Sequence, residues 1–158
     1  MESQEIGKNS AVQKLRDWDK QVVAEVIEFR GETTVVVPEQ RLVRVAEYLA
    51  SEPSLRFTFL SDLTTVDRFP MEPRFELNYH LLSIERSLRL RLRVRVAGAQ
   101  PEVPSVTGVW PTANWHERES FDLFGIRFHG HPDLRRILMP EEWEGHPLRK
   151  DYPVEGFR

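Results

Sequence analysis

Leu88-Arg89-Leu90-Arg91-Leu92-Arg93-Val94-Arg95-Val96 alternates an aliphatic residue with an arginine along its whole length. Successive side chains of a strand point to opposite faces, so this stretch predicts a strand with one buried and one solvated face. A helix would scatter the same arginines all round its surface. Upstream, Arg74 to Ile84 puts Phe75, Leu77, Tyr79 and Leu81 on one face, and the link Glu85-Arg86-Ser87 is too short for a crossover. The two segments therefore read as an antiparallel pair whose shared apolar face needs a covering layer.

Working outward from this pair, Leu55 to Leu60, extending toward Val66, reads as a further strand. Before it, Leu42, Val45, Ala46 and Leu49 fall at i, i+3, i+4 and i+7 of a helix over Glu39 to Ser51 that Pro53 closes. Val22 to Phe29 and Thr33 to Val37 are β-branched runs joined by Arg30-Gly31-Glu32, a hairpin whose glycine accepts a positive φ. Ala11, Leu15, Trp18 and Val22 recur at helical spacing behind a Ser10 cap, and residues 1–9 read as a flexible N-terminus. The order α-β-β-α-β-β-β makes 10–100 an α+β domain, a mostly antiparallel sheet with helices packed on it. Beyond Gly98, Pro101 and Pro104 break the chain, and Pro111 to Phe124 reads as a helix ended by Gly125, so 101–125 is a linker and C-terminal helix. Residues 126–158 have little periodicity and read as an extended irregular arm. Ordering each residue costs about 1 to 2 kcal/mol of backbone entropy, which such a segment cannot recover from local contacts, so it must lie along something.

A chain of 158 residues and 18.6 kDa is one domain with an appendage. With 22 basic against 25 acidic residues, a net charge of -3 gives no bias toward polyanions, which disfavours a general nucleic-acid binder. The absence of cysteine excludes disulfides, thiolate zinc sites and the usual iron–sulfur ligation. Met1 to Glu5 lacks a signal-peptide pattern, and no apolar run approaches the roughly 18 residues of a membrane span, which predicts a soluble, cytoplasmic chain.

Several constellations have a chemical and a plainer reading. The arginine face of Leu88 to Val96 can track phosphates or dock on an acidic partner; the plainer reading pairs it with acids such as Glu76 or Glu85. His129, His131 and His146 near Glu117, Glu119, Asp122 and Asp133 invite a metal site and a free-standing metal hydrolase, but no His-x-x-x-His or His-Glu-x-x-His spacing occurs. Elemental analysis tests that reading. Glu117 and Glu119 diverge by roughly 200° on a helix, poor geometry for an acid–base pair, while Arg118 and Asp122 suit an i, i+4 surface bridge. Gly125 and Gly130 have phosphate-loop spacing but are followed by His131-Pro132 rather than Lys and Ser or Thr, and no dinucleotide fingerprint or nucleophile elbow is present.

Glu117-Arg118-Glu119-Ser120-Phe121-Asp122-Leu123-Phe124-Gly125-Ile126-Arg127-Phe128, His129 to Pro140, and Trp143-Glu144-Gly145-His146-Pro147-Leu148-Arg149-Lys150-Asp151-Tyr152-Pro153 closely resemble the signature of the 30-kDa subunit of respiratory complex I, the NADH-quinone oxidoreductase of bacteria. The resemblance implies a non-catalytic scaffold of the peripheral arm of a proton-translocating enzyme. It implies no cofactor in this chain, with FMN and iron–sulfur clusters in other subunits. Its implied partners are the 49-kDa subunit, near the quinone site, and neighbouring peripheral-arm subunits. Membrane contact is then indirect, on the cytoplasmic side of the cell membrane through the complex. The equivalent subunit of a related membrane hydrogenase or ferredoxin-fed complex has the same architecture, and a neighbouring gene for a flavin-binding NADH-input subunit discriminates the two.

On this view the arm carries the partner interface. Its expected residues are Glu117, Arg118, Glu119, Asp122, Phe124, Gly125, His131, Leu134, Arg135, Arg136, Trp143, Pro147, Arg149, Lys150, Asp151 and Tyr152. Charges would set register and aromatic residues would anchor, so Arg136→Ala or Trp143→Ala should weaken assembly while leaving the domain folded. The alternative is that the arm folds back over its own sheet, part of its apolar set serving the core; both are expected in part, with Phe121 and Phe124 inside the domain and residues beyond Gly130 meeting the partner.

Overall fold

The alternating segment is the middle strand of a five-stranded sheet in the order β1-β2-β5-β4-β3. In the computed structural model, which describes residues 2–98 and 100–157, these strands are β1 Glu25–Phe29, β2 Glu32–Val36, β3 Phe59–Asp67, β4 Phe75–Ser83 and β5 Leu88–Val96. Leu88, Leu90, Leu92, Val94 and Val96 are buried, and the intervening arginines face the other side. β4 pairs antiparallel with β5, Leu77 opposite Val94 and Tyr79 opposite Leu92, and β3 continues the meander on β4. β1 and β2 form the expected hairpin, and β2 joins β5 through a short parallel ladder, Val35 opposite Leu92. The sheet is thus mostly antiparallel, with that one parallel seam where the two halves meet.

The seam follows from the helix between β2 and β3. α2, Leu42–Ser51, carries the chain over the apolar face to the far edge, and its stripe Leu42, Val45, Ala46 and Leu49 is buried on the sheet. Leu42, Val45 and Leu49 each contribute about 1.5 to 3 kcal/mol by leaving water. α1, Glu2–Trp18, lies beside it, with Leu15 buried and Trp18 stacked on Tyr48 at 4.3 Å between ring centroids.

Three boundaries differ from the sequence reading. α1 starts at Glu2 rather than behind Ser10, and stops at Trp18 because Asp19 caps a 3-10 turn over Lys20–Val22, so β1 begins only at Glu25. Leu55 and Phe57 are not in a strand: Arg56 has φ 51° and Phe57 N–H bonds to Leu49 O, tying this segment to α2 before β3 starts. Glu102–Pro104, expected to be linker, is β6, which pairs in parallel with β7, Arg127–His129. α3, Ala113–Phe124, packs along the β3 edge. Thr112 Oγ1 and Thr65 Oγ1 join the two elements through Leu60 O and Ser120 Oγ, and buried Trp110 donates Nε1–H to Phe57 O.

Candidate partner interface

Residues 130–157 form neither helix nor strand, yet they do not stand away from the domain. They wrap over α3, fastened by its charges. Asp122 is fully buried, and its Oδ2 accepts the consecutive N–H groups of Ile137, Leu138 and Met139 at 3.0, 2.7 and 2.8 Å. Its Oδ1 accepts Arg136 Nη1 at 2.7 Å, while Arg136 Nη2 donates to the carbonyls of Trp143 and Gly145. Burial pushes the Asp122 carboxyl up, but these N–H donors and the guanidinium outweigh it and hold the group below its ordinary value. Arg118 reaches the same loop, donating to Arg135 O and Arg136 O, and its guanidinium lies over the Trp115 ring. The expected Arg118–Asp122 surface bridge is therefore not formed. α3 is covered by the sheet on one side and the arm on the other, so both residues serve backbone groups that an irregular segment cannot pair with itself.

Gly125 ends α3 with φ 76° and lies so close to His146 that a Cβ there would come within 2.7 Å of the ring. His146 Nδ1 meets Asp122 O at 2.8 Å, and Leu148 N–H bonds Leu123 O. Positive φ and close approach thus both call for glycine at this corner.

A second anchor lies at the end of β3. Arg74 donates to both oxygens of Asp67 at 2.8 and 2.7 Å and to both oxygens of Asp151 at 2.9 and 2.8 Å. Lys150 N–H adds 2.8 Å to Asp67, so the tail of the arm is bound to the β3–β4 end of the sheet. The sequence reading included Lys150 and Asp151 but missed Asp67 and Arg74. The signal available was the same accounting of backbone donors: an arm without regular structure needs fixed charges on its host.

Glu117, also fully buried, accepts Ser105 Oγ at 2.7 Å and Val106 N–H at 2.8 Å, closing the β6 end over α3. Burial pushes its carboxyl up to about 7, offset in part by those two donors. A carboxyl raised in the fold favours folding below its ordinary pKa, and that advantage is lost as pH rises through the folded value. Between pH 5 and 8 the native chain should therefore lose about 2 kcal/mol more stability than Glu117→Gln, read from urea unfolding at each pH. Burial lowers the pKa of His80 and His146, which titrate with the opposite sign, and the comparison between variants cancels them.

Of the expected interface residues, Glu117, Arg118 and Asp122 are thus buried within the chain. Arg136 is also engaged inside, so Arg136→Ala would disturb the arm itself. Phe124, Gly125, His131, Leu134, Pro147, Arg149 and Tyr152 are half-buried. Glu119, Arg135, Trp143, Lys150 and Asp151 are exposed, though Arg135 pairs with Asp133 and Asp151 with Arg74. The outward surface also presents Trp115, Leu138, Trp143 and Leu148, each at least 40% exposed. The histidines are not brought together: His129 meets Glu102, His131 meets Asn114 O, and His146 meets Asp122 O. Among the described residues no group of three or more His, Cys, Asp or Glu is placed to hold a metal ion.

Fold and arm together define an α+β sheet domain with a C-terminal strap, tied to its own helix by buried charges and carrying exposed Leu138, Trp143 and Leu148 among its outward charges. The chain belongs to the family of the respiratory-chain NADH dehydrogenase 30 Kd subunit, whose model matches residues 35–158. It is 58% identical over 127 residues to an NADH-quinone oxidoreductase subunit of Roseiflexus sp. (strain RS-1), covering 80% of this chain and 73% of that one. With the corresponding subunit of Geotalea uraniireducens it shares 48% over 148 residues, 94% and 89% of the two chains. Among solved structures, a trypsin-resistant fragment of Nqo5 superposes with a TM-score of 0.66 at 32% identity, over 80% of this chain and 99% of that one. A chain of the membrane-bound sulfane sulfur reductase, an archaeal respiratory membrane complex, shares the fold with a TM-score of 0.78 at 23% identity, over 92% and 85%. This is therefore a complex I 30-kDa-type subunit. Among the described residues no helix is long and apolar enough to cross a membrane.

Proposed function

We propose that the chain is a non-catalytic scaffold subunit in the peripheral arm of NADH-quinone oxidoreductase, docking on the 49-kDa subunit through the outer surface of its strapped arm. The observation that carries this reading is the division of the arm. Arg136 and Asp151 are turned inward on Asp122 and Arg74, and Arg118 takes a carbonyl of the arm, which fixes an irregular backbone in advance, while Trp143, Leu148 and Leu138 stand in solvent. A surface ordered before binding loses less entropy on docking, and exposed tryptophan is the side chain most often found at the energetic centre of an interface. No cofactor is assigned to this chain. FMN and iron–sulfur clusters belong on this reading to other subunits, and attachment to the cytoplasmic side of the cell membrane is indirect, through the assembled complex.

Co-expression with the 49-kDa homologue tests the proposal. Trp143→Ala combined with Leu148→Ala should weaken co-purification by at least about 30-fold, the equivalent of roughly 2 kcal/mol, with the thermal midpoint of the chain alone unchanged. Co-purification at the native level would remove the arm from the interface.

A further inference from the structure

The arginine row of β5 is not uniform. Arg91 pairs with Glu32, Arg93 with Asn78 and Glu76, and Arg95 with Glu76 and Glu25, as a self-satisfied sheet face requires. Arg89, at the opposite end of the strand from the arm's anchor, is exposed, and among the described residues no carboxylate pairs with it. Beside it is a cleft of ≈ 220 Å³ lined in part by Glu32, Ser61, His80, Leu82 and Arg91. Cross-strand register sets Phe59 opposite Leu82 and Leu82 opposite Arg89, so a ring, an aliphatic side chain and a guanidinium form one row over three strands. A β-bulge between Leu60 and Asp62 bends β3 at this point. Phe59 is 40% exposed, and Ile84, just past β4, 67%. Of the acids nearby, Glu32 holds Arg91, Glu85 lies 3.4 Å from Arg56, and Asp62 lies 3.6 Å from His116 on α3. An uncompensated guanidinium within an exposed apolar row is complementary to a carboxylate flanked by apolar residues, and buries well only against such a segment.

We propose that this end of the open sheet face is a second docking surface, taking an acidic segment of another subunit, so that the chain bridges two partners. Asp67, which anchors the arm, is six residues along β3 from Ser61, about 20 Å away at the rise of a strand, so the two surfaces are separate. The inference rests on the proposed place of the chain in a multisubunit complex.

Because the chain has no cysteine, Ile84→Cys supplies a single thiol at the surface in question. In the whole complex, purified with this variant in place, labelling by a small maleimide should be at least tenfold slower than in the free chain. Arg89→Glu should restore labelling, Arg89→Ala should do so in part, and retention of the 49-kDa subunit should be unchanged in both. A photo-cross-linker on the same thiol should capture a peptide of another subunit that contains Asp or Glu. Equal labelling in both states, protection indifferent to both Arg89 variants, or capture of a second copy of this chain or of a segment lacking a carboxylate would overturn the proposal. Failure of the native chain to retain the 49-kDa subunit would instead remove the functional reading on which it rests.

Discussion

Asp122→Ala should free the arm from α3 and lower the stability of the chain by about 3 to 5 kcal/mol, the usual consequence of removing one partner of a buried charged pair. The size follows from what the carboxylate holds. It is fully buried and accepts Arg136 and three successive backbone N–H groups. With alanine, Arg136 keeps only carbonyl partners at Asp122, Trp143 and Gly145, and the loop Ile137 to Met139 must turn its donors to water. The arm then reverts to a segment whose ordering entropy is not recovered. Urea unfolding measures the loss, and limited trypsin treatment under native conditions locates it: cleavage in the variant should begin at Arg135 or Arg136, with the sheet still intact. An arm as resistant to protease as in the native chain would show that some other contact holds it. Asp122→Asn, which keeps the shape but loses the charge, should fall between the two.

The sheet was legible from sequence for a specific reason. A strand buried on one face repeats every second residue, and Leu88 to Val96 carries that repeat without interruption, as does Leu42 to Leu49 for the helix. Strand order and the parallel seam between β2 and β5 were not legible, because local periodicity does not encode which edge the α2 crossover reaches. The arm was recognisable as a segment unable to stand alone, and its motif as that of a family, but the direction in which its charges face was not. Helix spacing makes Arg118 and Asp122 surface neighbours, whereas in the fold the carbonyls of Arg135 and Arg136 compete for the first and the N–H groups of residues 137–139 for the second. Desolvated backbone groups win that competition, since a surface ion pair is worth only about 0 to 1 kcal/mol. The ion pair Arg74–Asp151 joins residues 77 positions apart, a distance no local pattern reports.

Arg74→Met should have the second large effect, together with a change in how stability responds to acid. Asp67 is 2% exposed in its side chain, and Arg74 also lies over the rings of Phe69 and Phe75, so its guanidinium is the main counter-charge in a mostly apolar corner. Burial alone raises the Asp67 carboxyl, but Arg74 and the N–H groups of Lys150 and Phe69 outweigh it and hold the group at about 2. A carboxyl held below its ordinary value stabilises the fold above that ordinary value, and the contribution is lost as pH falls through the folded one. The native chain should therefore lose about 2 kcal/mol from this site between roughly pH 4 and pH 2. Without Arg74 burial dominates, the folded pKa rises above its ordinary value, and the sign reverses: the site then destabilises the fold as pH increases. At pH 7 the variant should be about 3 to 5 kcal/mol less stable. The tail at Lys150 and Asp151 should become protease-sensitive while Asp122 keeps the middle of the arm in place. Adding Asp67→Asn to Arg74→Met should recover part of the loss, because a buried amide needs no counter-charge. Urea midpoints from pH 2 to 8 for the three chains separate these effects. Equal acid slopes for the native chain and Arg74→Met would mean that Asp67 is not held by the guanidinium.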